Sequence, residues 1–188
     1  MGGRRGQRGF TIIEMLVVMI IIGVMVAIVV PRTRVSKKMY VQSTALQLLR
    51  DAELTRNRAL AQKKIARVQI DETANTYACY GDDDGNGAIA GTAAERQFLR
   101  VGTRVFANGV IFGRGNASAG IPGESGSGAV TFANTRIDFD TRGLPSPFAT
   151  KGTIYLTATG SPASVFAVQM TAAGSFKLWT YLPNGTWQ

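Results

Sequence analysis

Between Phe10 and Val30 the chain runs for 21 residues, FTIIEMLVVMIIIGVMVAIVV, with a single charged side chain, Glu14. As a helix rising about 1.5 Å per residue, this run is roughly 31 Å long, close to the hydrocarbon thickness of a bilayer. It is longer than a signal-peptide core, and no small-x-small cleavage site follows it. Arg4, Arg5 and Arg8 precede it, so the positive-inside rule keeps the start of the chain cytoplasmic and puts the remainder outside. Glu14 is the anomaly, because a carboxylate in a spanning helix costs about 2.5–3.5 kcal/mol on insertion scales. Snorkelling to the interface or protonation would each relieve it. A positive partner inside the membrane would relieve it more fully. The run holds no lysine or arginine, but a free α-amino group would serve if the chain were cut just before Phe10.

Charge and composition narrow the function further. The chain has 188 residues and a formal net charge of +9, but that charge is unevenly placed. Nine basic residues stand against two acidic ones between 32 and 64, whereas residues 66–188 hold nine of each. A head with no net positive charge lacks the electrostatic footprint of a phosphate binder. The cluster Arg96, Arg100 and Arg104 is the one local patch to weigh. Histidine is absent, which removes Ser-His-Asp and Cys-His catalysis and histidine metal ligands. No spacing resembles a nucleophile elbow or a P-loop, so an enzyme is not expected. The lone cysteine, Cys79, permits no internal disulfide and reads as a packed thiol in the strand-like run TYACY.

Past the membrane, residues 31–64 read as an amphipathic continuation of the same helix. Val35, Met39, Gln42, Leu46, Leu49, Ala52, Arg56 and Ala59 form its apolar stripe, with polar breaks. From residue 65 the pattern changes to short runs rich in Val, Ile, Thr, Phe and Tyr, punctuated by Gly, Pro, Asn and Ser. These are IARVQID, TYACY, RQFLRVG, GVIFG, AVTFA, RIDFD, GTIYLTATG, SVFAVQMTA and SFKLWTY. The expected fold class is α+β, a long helix leaning on an antiparallel sheet. Residues 113–128, rich in Gly and Ser, read as an exposed loop. Trp179, Tyr181 and Trp187 are expected to close a sheet core, with partner anchoring as the alternative.

One acidic turn calls for a separate test. In GDDDGNG, Asp82, Asp84, Asn86 and Gly87 match the first half of a calcium loop, D-x-[DN]-x-[DN]-G. The twelfth position is Ala93 rather than glutamate, and Glu95 falls two residues late. An ordinary turn between strands is the simpler reading, and no cofactor is expected beyond weak calcium at Asp82, Asp84 and Asn86.

Gly9-Phe10-Thr11-Ile12-Ile13-Glu14, behind a basic leader and ahead of an apolar helix, resembles the prepilin signal of type IV pilins and type II secretion pseudopilins. The later stretch from ANTRIDFDTRG to FAVQMTAAGSFKLW is similar to the C-terminal pattern of the GspH/FimT family of minor pilins, with Gly143 and Gly174 in its turns. The resemblance implies the pilin fold, with residues 1–9 as leader, 10–30 as transmembrane helix, 31–64 as its continuation and 65–188 as β-rich head. It implies cleavage between Gly9 and Phe10 by prepilin peptidase, N-methylation of Phe10, and an assembly role for Glu14, paired with the terminal amine of a neighbouring subunit. It implies unwinding between Gly23 and Pro31 in the filament. The implied partners are other pilin or pseudopilin subunits, the peptidase, an inner-membrane assembly platform and membrane lipid. The implied location is the inner membrane, single-pass, with the head in the periplasm or outside. Some FimT-like proteins bind DNA during uptake through a basic Gly-Arg-x-Arg element. The matching stretch here, Gly174-Ser175-Phe176-Lys177, lacks both arginines, so a DNA-binding minor pilin is the alternative and not the expectation.

Overall fold

The structure, a computed structural model, describes residues 11–32, 36–90, 95–97 and 102–188. It divides into two units, Met1–Ser36 and Lys37–Gln188. In the first, helix α1 (Ile12–Arg32) is 21 residues long. It is helical through Gly23 and Pro31; the unwinding implied for a filament belongs to the assembled state. Side chains of α1 are described as far as Met25, and among the described residues no helix is long and apolar enough to cross a membrane. Helix α2 (Lys37–Gln62) opens the second unit after the non-helical Ser36; residues 33–35 lie outside the described residues.

Two antiparallel sheets complete the head. The first has the order β3-β2-β1-β6-β7, with β4 also pairing β2; its strands are β1 (Ala66–Asp71), β2 (Thr76–Gly81), β3 (Arg96–Gln97), β4 (Arg104–Val105), β6 (Arg136–Phe139) and β7 (Pro145–Ser146). The second has the order β10-β9-β8-β5, built from β5 (Val110–Phe112), β8 (Gly152–Ala158), β9 (Ser161–Met170) and β10 (Phe176–Thr180). Most of the apolar runs become strands because their β-branched and aromatic residues alternate inward. AVTFA is the exception: only Val130 makes a bridge, to Ile154. The β8–β9 turn is also tighter than the sequence suggests. Ala158 pairs with Ser161, so Pro162 belongs to β9.

Helix α2 packs on both sheets. Its buried face is Val41, Ala45, Leu48, Ala52, Thr55 and Ala59, with Asp51 beside them. The expected stripe is therefore rotated. Ala52 and Ala59 belong to both versions, but Met39 is 61% exposed and Leu54 and Leu60 also face outward. Small side chains line the inner face because the helix lies close to the strands, where bulk would overpack. Against them sit Val68, Ile137, Phe139, Ile154, Leu156, Phe166, Val168 and Met170, each 1% exposed or less.

All seven residues of β8 are buried, so its outer face is covered as well. Residues 113–128 do this: the stretch is an irregular loop exposed at most positions, as expected, but it turns Ala117 and Ile121 inward onto the sheet. Ile121 is 1% exposed, its amide donates to the Tyr155 hydroxyl at 3.0 Å, and Arg114 lies over the Tyr155 ring at 4.2 Å. Glu124 accepts from Thr153 at 2.6 Å and from Thr131 at 3.1 Å. Burial would raise the Glu124 pKa, but these hydroxyls, the Gly126 amide and Arg114 outweigh it and hold the carboxyl below its usual range. Trp187 closes the same patch, 5.6 Å from Tyr155 and 5.0 Å from Tyr181, and Trp179 donates to Gln169.

Candidate functional site

Two places carry the side chains that the sequence singles out. The first is the start of α1. Gly9 and Phe10 lie outside the described residues. Thr11 is the last residue before the helix, and its hydroxyl accepts from the backbone amide of Glu14 at 3.3 Å. Thr-x-x-Glu is the capping-box spacing, and it satisfies one of the amides that every helix start leaves without a partner. Glu14 is exposed and sits in the first turn, where the helix dipole also favours a negative charge. Thr11 is the residue sequence reasoning missed, although the spacing was visible. Around Glu14 the helix presents Ile12, Ile13, Met15, Leu16 and Met19, all at least 55% exposed. Contiguous exposed apolar surface of that kind marks a contact with another chain or a membrane.

The second place is the turn after β2. Asp82 is buried, and its carboxylate accepts from the amides of Gly85 at 2.8 Å, Asn86 at 3.1 Å and Gly87 at 3.1 Å. Gly85 and Gly87 hold φ of +73° and +77°, which is why glycine stands at both. Asn86 donates to Asp84 Oδ2 at 2.8 Å, and its side-chain oxygen accepts from the Ala88 amide at 2.7 Å. Asn86 thus shapes the loop and steadies Asp84. Burial works to raise the Asp82 pKa, but the three loop amides prevail and hold it low. The ladder between β2 and β3 pairs Gly81 with Arg96, so its next step brings Glu95 opposite Asp82. Carboxylate oxygens of Asp82, Asp84 and Glu95 lie within 4.8 Å of one another.

The remaining candidates resolve differently. Of the arginine patch, Arg104 is engaged by Asp51 of α2, with Nε 3.2 Å from Oδ2. Lys177 lies 3.5 Å over the Trp179 ring. Cys79 is fully buried, which pushes its thiol up to about 12 and leaves it unreactive. Gly143 and Gly174, at φ +67° and +78°, both turn their carbonyls to one arginine: Arg56 donates to them at 2.9 and 3.1 Å.

The pattern for a prokaryotic N-terminal methylation motif matches residues 4–30. The fold is similar to that of the minor pseudopilin EpsH from the type 2 secretion system of Vibrio cholerae. One structure gives a TM-score of 0.51 at 11% identity, covering 74% of this chain and 96% of that one; a second gives 0.50 at 14%, covering 76% and 95%. The chain thus carries an N-terminal methylation motif at its start and a fold similar to that of EpsH. The type IV minor pilin FimU of Pseudomonas aeruginosa is also similar, with a TM-score of 0.47 at 16% identity over 79% of this chain and 92% of that one. A comparison with curated protein sequences returns no match. None of these likenesses supports the DNA-binding alternative.

Proposed function

We propose that the chain is a minor pilin or pseudopilin subunit of a type II secretion pseudopilus or a type IV pilus. Its work is assembly, not catalysis. The observation that carries this reading is a methylation motif over residues 4–30 on a helix that presents Glu14 in its first turn, joined to a head with the fold of EpsH. Residues 10–30 anchor the subunit in the inner membrane, with the head outside the cytoplasm. Prepilin peptidase cuts between Gly9 and Phe10 and exposes an amine that is then methylated. On assembly the exposed apolar face of α1 passes from lipid to neighbouring helices, and Glu14 meets the terminal amine of an adjacent subunit. The assembly platform and the other subunits are the partners.

The capping geometry sharpens the test. A glutamine at position 14 serves a capping box as well as a glutamate does, but it carries no charge. Glu14→Gln should therefore preserve the helix start and the cleavage while sharply reducing incorporation into filaments. Incorporation at the level of the unmodified chain would remove the role given to the carboxylate. Mass spectrometry of the membrane form should find a chain beginning at a methylated Phe10, and a chain retaining its leader in cells with active peptidase would count against the whole reading.

A further inference from the structure

We propose that Asp82, Asp84 and Glu95 form a calcium site that ties the end of β2 to the start of β3. The inference stands on the head alone and does not depend on the filament reading. Three carboxylates converge within 4.8 Å of one another. Two oxygens bound to one calcium at about 2.3–2.6 Å can lie at most about 4.6–5.2 Å apart, so the cluster already falls within the span of one ion.

Glu95 supplies the independent observation. It is 4% exposed, it lies one residue beyond the Gly81–Arg96 pair that ends the ladder, and its Oε2 has no hydrogen-bond partner. A buried carboxylate oxygen without a donor, set beside two further carboxylates, is unfavourable on both counts. Among the described residues no lysine or arginine forms an ion pair with any of the three. The nearby Lys64 ammonium donates instead to the Asp83 carbonyl, at 2.9 Å. A hard cation supplies what the site lacks: it neutralises the repulsion and satisfies Oε2.

The loop around the cluster is already organised. Asp82 gathers three amides and Asn86 steadies Asp84, so one ion need order little more. Calcium fits better than magnesium. Magnesium keeps several waters and binds one or two carboxylates, whereas calcium accepts irregular, carboxylate-rich shells and a bidentate glutamate. The glutamate displaced from the twelfth position of the loop motif is thereby recovered through the register of β2 and β3.

The test uses the full chain purified in detergent micelles, stripped with a chelator and titrated calorimetrically with calcium chloride, and separately with magnesium chloride. One calcium per chain is expected. At a hundredfold excess over Kd the melting temperature should rise by roughly 5–10 °C. Glu95→Gln should weaken calcium binding at least tenfold while the metal-free chain melts no lower than the unmodified one, since it loses an unpartnered buried charge. Asp84→Asn, at an exposed position that a folded head tolerates, should weaken binding similarly and serves if the first variant misfolds. Absence of heat and of any melting shift up to about 10 mM calcium, tenfold above the range of weak extracellular sites, would overturn the proposal. So would binding that both variants leave unchanged. Magnesium binding as tight as calcium would overturn the choice of ion.

Discussion

Removing the Asp51 carboxylate should damage the head more than its single position on α2 suggests. Asp51 Oδ2 accepts from the Tyr77 hydroxyl at 2.7 Å and from Arg104 Nε at 3.2 Å. With its amide oxygen turned toward Arg104, Gln47 accepts from the same guanidinium at 3.1 Å. The two donors to Asp51 differ in what they lose. The Arg104 side chain is 26% exposed and can regain water, so its pair is worth about 0.5–1 kcal/mol. Tyr77 is 2% exposed and cannot. Burial, then the hydrogen bond to Asp51, drive its pKa far above the usual tyrosine value, so it remains a donor at any physiological pH. A hydrogen bond to a charged group is worth about 1.5–3 kcal/mol, and an orphaned buried hydroxyl costs about 1–3 kcal/mol. Because the terms overlap, Asp51→Ala should cost about 3 kcal/mol and Tyr77→Phe about 1.5 kcal/mol. The double variant should also cost about 3 kcal/mol, a coupling of about 1.5 kcal/mol. Urea unfolding of residues 37–188, followed by the fluorescence of Trp179 and Trp187, measures all four corners of the cycle. Strict additivity, or a loss below about 0.5 kcal/mol for Asp51→Ala, would refute the claim that this network fastens α2 to the first sheet.

Two further outcomes follow from the same structure. Arg56→Ala should destabilise the head by about 2 kcal/mol in the same urea assay, because the Gly143 and Gly174 carbonyls lose a charged donor; Arg56→Lys, with its single ammonium, should recover only part of the loss. Glu124 and Asp140 both have folded-state pKa values below their usual ones, so each contributes stability that is complete above the unfolded carboxylate range of about 4 and is lost as pH falls through the lower folded value. Melting temperature should therefore drop below about pH 4.5, and Glu124→Gln should flatten that drop, as a thermal scan against pH would measure.

The alternating strands were legible because burial on one face writes itself into every second residue, as in Arg136 to Phe139. The motif at Glu14 was legible for a related reason, since a charge in an apolar run has few explanations. The inner face of α2 was not legible. Ala45 and Thr55 carry no strong hydrophobic signal, and Met39 and Leu54 carry a strong one while facing outward. Residues 113–128 were legible as an exposed loop but not in their contacts. Their composition is that of a solvated loop, yet Ile121 and Arg114 find Tyr155 only through the folded sheet. Glu95 was visible but placed out of register, because counting along a loop cannot see the pairing of Gly81 with Arg96 that brings it back.

The hydroxyl of Thr11 carries a last consequence. The first turn of α1 is closed by a side chain at position 11, downstream of the cut proposed between Gly9 and Phe10. Under that proposal the cap stays with the helix it closes, one residue from the new chain end.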